Sequence, residues 1–232
     1  MKTIVITGAG RGMGLQVTKK HTERGDRVYA ISHSRTEELA ALDDANQNLH
    51  VILCELTDDA SVEAACGLIV KPVDILYNIA GLYSHEQNCG LEGMDFDISL
   101  KMYNVNALAP MRVLKALEGL LHEGSIVMNV SSEAGSVGQA GRTGEYGYCM
   151  SKAGLNMGVK LFDNAHRDGG IFTFAYHPGW IRTQMGGERA MASPYSISAE
   201  YAAECVMKIT DHPAEYYARG LYWDYEGNQL PW

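Results

Sequence analysis

Tyr148 and Lys152 stand four residues apart in a segment whose apolar residues Leu155, Val159 and Phe162 recur at helical spacing. The phenol and the amine therefore project from one face of a helix read as Tyr148–His166. An unperturbed phenol titrates near about 10, too high for efficient proton exchange at neutral pH, and a neighbouring ammonium favours the phenolate. Such a pair suits proton transfer to or from a substrate oxygen. Taken alone the pattern also fits a solvated helix face. Tyr146 is a rival phenol, but its partner four residues on is Met150. Upstream, Ser131-Ser132 closes an apolar run, where a hydroxyl could hold a substrate oxygen and stabilise charge on it.

A second chemistry-bearing stretch is Thr7-Gly8-Ala9-Gly10-Arg11-Gly12-Met13-Gly14, between a short apolar strand and a helical pattern. A helix N-terminus offers free N–H groups and a positive dipole end, and glycines allow a tight turn and close ligand approach. A strand, this turn and a helix together form the context of a dinucleotide's pyrophosphate site. The next strand ends Ala30-Ile31-Ser32-His33-Ser34-Arg35, with no carboxylate before Glu37. An NAD site normally places an acid there for the ribose 2′-hydroxyl. Ser32, His33, Arg35 and Arg11 suit a 2′-phosphate instead, arginine because its planar fork pairs with phosphate. The expected cofactor is NADP(H), ahead of NAD(H); solvated surface charges are the alternative for both arginines.

These residues need a frame. Strand-like runs are Thr3–Thr7, Val28–Ser32, His50–Cys54, Ile75–Asn78, Ser125–Val130 and Ile171–Tyr176, with a weaker one at Leu221–Asp224. Helical patterns separate them, which predicts βαβ units and a parallel sheet covered by helices on both faces. Glycine clusters at strand ends, and ligands bind an open parallel sheet at the carboxyl ends of its strands. No linker or repeat divides the chain, so one Rossmann-type α/β domain over 1–232 is expected.

In order along the chain, Thr-Gly-x-x-x-Gly-x-Gly, Asn78-Ile79-Ala80-Gly81, Asn106, Ser131-Ser132, Tyr148-x-x-x-Lys152 and Pro178-Gly179 with Thr183 downstream resemble the short-chain dehydrogenase/reductase family. The resemblance implies a seven-stranded sheet in the order three-two-one-four-five-six-seven, and an oxidoreductase acting on a ketone, aldehyde or secondary alcohol. It implies Ser132, with Ser131 as fallback, for the substrate oxygen, and Asn106, with Asn104 as alternative, for a water beside Lys152. It also implies cofactor contacts from Gly8, Gly12, Met13, Gly14, Asn78, Ala80, Gly81, Tyr148, Lys152, Pro178, Gly179, Ile181 and Thr183. Glu55-Leu56 stands where the family usually has aspartate and an aliphatic residue at the adenine, and Glu55 is one methylene longer. The aromatic tail 220–232, too apolar for a free end, and His177-Pro178-Gly179-Trp180 resemble a branch of C-factor-like proteins and Sniffer-like carbonyl reductases. Homodimers or homotetramers are usual in the family.

The chain carries a net charge of −9 over 232 residues, which argues against nucleic acid or an acidic membrane surface as main partner. Five cysteines without C-x-x-C spacing suggest neither a disulfide framework nor a metal site, and a reducing compartment. No apolar run is long enough to span a bilayer, and a cytoplasmic location is expected. Substrate groups are expected from 82–89, 133–146 and a loop of about 180–198, with 186–194 as a lid. Trp180, Met185, Tyr83 and Tyr146 are wall or core candidates, His85 a solvated loop histidine, and Glu133 a selector of polar substrates or a backbone-amide partner. A cofactor-binding signalling or regulatory protein on the same fold stays open as a second function.

Overall fold

The computed structural model describes residues 1–232. Seven parallel strands, β1 (Thr3–Thr7), β2 (Arg27–Ser32), β3 (Leu49–Leu53), β4 (Val73–Asn78), β5 (Leu121–Val130), β6 (Phe172–His177) and β7 (Tyr222–Asp224), form one sheet. Its order is β3-β2-β1-β4-β5-β6-β7, as the family resemblance implies. All seven sequence runs become strands, most within a residue or two. β5 alone starts four residues early, through the polar His122-Glu123-Gly124 that periodicity does not mark as strand.

Alternation decides which face each side chain covers. In β1, Ile4 and Ile6 enter a 24-residue core on one face, while Val5 enters a 16-residue core on the other. In β5, Ile126, Met128 and Val130 join the first core and Val127 the second. Helices α1 (Gly12–Glu23) and α8 (Ala199–Asp211) pack together on the first face, through Leu15, Val17, Ala203 and Met207. Helices α3 (Asp59–Cys66) and α5 (Ala109–Leu117) pack on the second, through Val62, Val113 and Leu117. Helix α2 (Glu37–Ala45) follows β2, capped by Thr36. Helix α4 (Phe96–Tyr103) runs through a π-helical segment, Asn104–Leu108, into α5 and packs on the long α6 (Tyr146–His166). Helices α7 (Gly187–Ala192) and α9 (Pro213–Arg219) complete the second half.

The tail is not a free end. Trp223 is fully buried, and Trp232 stacks on Tyr222 at 5.3 Å between ring centroids. Gly138 N–H donates to the Trp232 carbonyl at 2.6 Å. The aromatic tail therefore packs on its own domain, at the loop after β5.

Candidate active site

The chain leaves β3 at the sheet edge and returns beside β1 as β4, so the crossovers diverge at the carboxyl ends of β1 and β4. A crevice of about 2160 Å³ opens there. A single small-ligand pocket is typically ~300–1,000 Å³, so the crevice has room for a dinucleotide and a second molecule.

Its first end is built from backbone. Gly8 takes φ +71°, where a side chain is strained, and a Cβ on Gly14 would lie 2.2 Å from the Gly8 carbonyl oxygen. The Thr7 hydroxyl accepts N–H bonds from Ile79 and Ala80 at 3.1 and 3.3 Å, and Thr36 donates to the Gly10 carbonyl at 2.7 Å. Helix α1 opens with no side-chain cap and no acid in its first turn. Its first N–H groups are thus left to an anion, and the cradle fits a pyrophosphate.

Arg11, Ser32, His33, Glu55, Leu56, Ala80 and Gly81 line this crevice, with Pro178, Gly179, Ile181 and Thr183 along the opposite lip. Arg35 does not. Its guanidinium pairs instead with Asp43 at 2.9 Å and Asp44 at 3.3 Å on α2, two carboxylates that compete with an open crevice for a cation. The 2′-phosphate reading is corrected there: Arg11, Ser32, His33 and Ser34 remain at that end. Arg11 also donates to Gln184 across the crevice. Glu55 accepts from Thr57 N–H at 2.9 Å and approaches His33 at 3.4 Å; the Thr57 bonds hold its carboxyl below the ordinary range. Asn78 lies beneath the crevice floor, donating to Asn129 at 2.9 Å, a sheet-internal link between β4 and β5.

The second end is built from side chains. Helix α6 starts at Tyr146, one turn-half earlier than its periodicity suggests, after Glu145 in the left-handed region at φ 61°. Tyr148, Lys152 and Ser132 all line this end. Lys152, 4% exposed, donates to the Val130 carbonyl at 2.9 Å and lies 5.8 Å from the Tyr148 ring centroid. Ser131 instead turns inward to Asn156 at 2.6 Å, leaving Ser132 as the serine that faces Tyr148. Asn156 also donates to the Gly135 carbonyl at 3.0 Å, and a Cβ on Gly135 would lie 2.7 Å from the Lys152 backbone. The serine loop therefore rides directly on α6.

Asn106 is fully buried in the π-helical segment. It accepts from Leu82 N–H at 2.7 Å and donates to the Leu82 carbonyl at 2.8 Å and to Ser151 at 2.9 Å. It fixes the loop after β4, with its Oδ1 near Gly81. Asn104 faces away, accepting from Arg112 at 2.8 Å.

Electrostatics here departs from the sequence expectation. Burial pushes the Tyr148 phenol above its ordinary range. Burial likewise lowers the Lys152 amine to about 8. The expected lowering of the phenol by Lys152 is thus corrected: in this dry corner desolvation disfavours both charged forms.

Two residues that sequence reading missed organise the same wall. Arg142 pairs with both Glu133 and Glu145, and Glu145 accepts from the Tyr83 hydroxyl. The Tyr83 ring meets Tyr148 edge-on at 5.0 Å and His85 at 4.9 Å. Glu133 accepts from Ser132 at 2.7 Å, rather than binding a backbone amide. Nothing local in the loop marks Arg142; its partners come together only in the fold. Trp180 and Met185 line the crevice half-exposed, and Tyr146 is exposed outside it.

The family model for short chain dehydrogenase matches residues 2–193. The chain belongs to the short-chain dehydrogenase family. C-signal of Myxococcus xanthus is 33% identical over 170 residues, 72% of this chain and 98% of that protein. The NADPH-bound carbonyl reductase from chicken fatty liver superposes with a TM-score of 0.88 at 26% identity, covering 100% of this chain and 99% of that one. Carbonyl reductase Sniffer of D. melanogaster shares the fold, with a TM-score of 0.89 at 23% identity over all of both chains. The C-factor-like and Sniffer-like branch of this short-chain dehydrogenase is the one its sequence resembles.

Proposed function

We propose that this short-chain dehydrogenase transfers hydride between NADP(H) and a ketone, aldehyde or secondary alcohol, with Tyr148 as the acid/base. The observation that carries the reading is convergence: Ser132, Tyr148 and Lys152 line one end of a crevice whose other end is an uncapped helix N-terminus over a glycine turn. When bound, the nicotinamide supplies the hydride. Gly8, Gly12, Met13 and Gly14 form the diphosphate cradle, and Arg11, Ser32 and His33 meet the 2′-phosphate. Ala80, Gly81, Pro178, Gly179, Ile181 and Thr183 bound the nicotinamide end, and Glu55-Leu56 the adenine. The NADPH-bound carbonyl reductase among its structural relatives favours NADP(H) over NAD(H).

Tyr148 delivers a proton to the reacting oxygen, or takes it in oxidation. Lys152, tied to the Val130 carbonyl, holds its charge beside the phenol. Asn106 and Asn78 act from behind, keeping the β4 loop and strand in register. The segment 180–198 is the substrate loop, stitched at its base by Arg182 N–H to the Ile197 carbonyl at 2.8 Å.

Tyr148→Phe is expected to reduce NADPH oxidation, screened over ketones, aldehydes, quinones and imines, by at least about a thousandfold, while NADPH affinity changes less than threefold. Undiminished turnover in that variant rejects the mechanism. The relative named C-signal favours a second reading, a cofactor-binding signalling protein; NADPH binding with no turnover across the panel supports it.

A homo-oligomer is supported by the apolar stripe of Met150, Met157 and Leu161 on α6 beside Phe96 and Leu100 on α4, each 58% exposed or more. Five free thiols suit the cytoplasm. No helix is long and apolar enough to cross a membrane.

A further inference from the structure

Ser132 has one hydroxyl proton and two lone pairs to place. Its Oγ donates that proton to Glu133 Oε2 at 2.7 Å and accepts from Ala134 N–H at 3.2 Å. One lone pair is left, at the end of the crevice that Tyr148 and Lys152 also line. The Glu133 carboxylate is itself fixed: Arg142 pairs with Oε1, and His177 Nδ1 stands 3.4 Å from Oε2. Beyond Arg142 lies Glu145. Tyr148, Cys149 and Tyr222 are the other titratable groups that feel this carboxylate. The backbone is pinned as well, since the Tyr222 hydroxyl donates to the Ser132 carbonyl.

We propose that Glu133 is a positioning residue that holds the Ser132 proton, so that Ser132 meets the reacting oxygen as an acceptor while Tyr148 meets it as a donor. A bare carbonyl oxygen, which only accepts, is served by Tyr148 but not by Ser132 in this arrangement. An alcohol oxygen accepts from Tyr148 and donates to Ser132, and so satisfies both. The resting site is therefore complementary to the hydroxyl member of the substrate pair. Reduction requires Ser132 to turn away from Glu133 before it can hold the carbonyl.

This inference rests on the oxidoreductase reading, and its test separates the two. The probes are the tertiary alcohol and the N,N-dimethylamide built on whichever carbon skeleton the NADPH-oxidation panel turns over best. Neither exchanges hydride, so their dissociation constants from the protein–NADPH complex report binding alone, read by bound-NADPH fluorescence. In the wild type the alcohol is expected to bind at least fivefold tighter than the amide. Glu133→Ala should weaken the alcohol at least fivefold and tighten the amide at least threefold, while Glu133→Gln, which retains an acceptor oxygen, keeps the wild-type order. A merely structural role moves both ligands by one factor in one direction, and that result overturns the proposal. So does a wild type that prefers the amide, a measurement that holds even where Glu133→Ala does not fold. Turnover that depends on Tyr148 with an unchanged ligand order sinks this inference alone; no turnover with any carbonyl sinks the reading beneath it.

Discussion

At the glycine end of the crevice the tightest approaches around Gly8 and Gly14 are to backbone atoms, Gly14 against Gly8 and Gly8 against Ala80. At the tyrosine end the contacts run between charged and aromatic side chains from separate loops, Glu133 to Arg142 to Glu145 to Tyr83. A backbone cradle has no slack, because a missing Cβ cannot be restored without moving main chain. A side-chain network can re-form around a change, so its effects should be smaller and should fall on turnover rather than on cofactor affinity.

The sharpest test of that contrast is Gly14→Ala. Its methyl collides with a carbonyl oxygen, and an overpacking cost of about 3 kcal/mol predicts NADPH binding weakened by about a hundredfold. Affinity within threefold of wild type, measured by NADPH fluorescence, would mean that the turn is softer than its contacts imply.

Lys152 sits at the junction of the two ends. Burial brings its pKa to about 8 from 10.5, so between those values the unfolded chain binds a proton that the folded chain does not. Its contribution to stability therefore rises with pH across that window. The cofactor-free wild type should gain about 2 kcal/mol on Lys152→Met between pH 8 and 9.5, at 1.36 kcal/mol per unit, in urea denaturation. Parallel pH curves for the two proteins would show that the amine is not desolvated.

Arg142→Leu leaves two carboxylates facing each other. A loss of about 1.8 kcal/mol, in the range for hydrogen bonds to charged groups, lowers kcat/KM for a carbonyl by about twentyfold with NADPH affinity unchanged. If NADPH affinity falls along with it, the two ends are not independent.

The smallest effect separates two arginines that look alike in sequence. Arg11→Ala should weaken NADPH about tenfold, one charge-assisted contact of about 1.4 kcal/mol, while Arg35→Ala changes it less than twofold. The reverse order, in the same titration, would restore Arg35 to the phosphate.

Most of the frame was legible because it depends on local pattern. Apolar alternation and glycine punctuation placed all seven strands, and Thr7, whose hydroxyl hooks the start of the β4 loop, stood inside the motif that pointed to the turn. Arg35 was misread because its partners, Asp43 and Asp44, are about two helical turns on and only the geometry of α2 turns them toward it. Arg142 was invisible, since neither of the carboxylates it bridges nor the phenol beyond them is marked by spacing. Glu133 drew notice as a neighbour of Ser132, but its grip on the serine proton needs coordinates.

The order of residues along the chain determined the fold class, the glycine turn and the phenol–amine pair, because each depends on spacings of a few residues that backbone geometry converts directly into position. The tertiary structure decided how dry the pair is, which serine faces it, where each arginine points and which carboxylate holds the Ser132 proton. Those outcomes depend on burial and on charges brought together from distant loops, and Coulomb and desolvation energies act on distance in space, which separation along the chain does not encode.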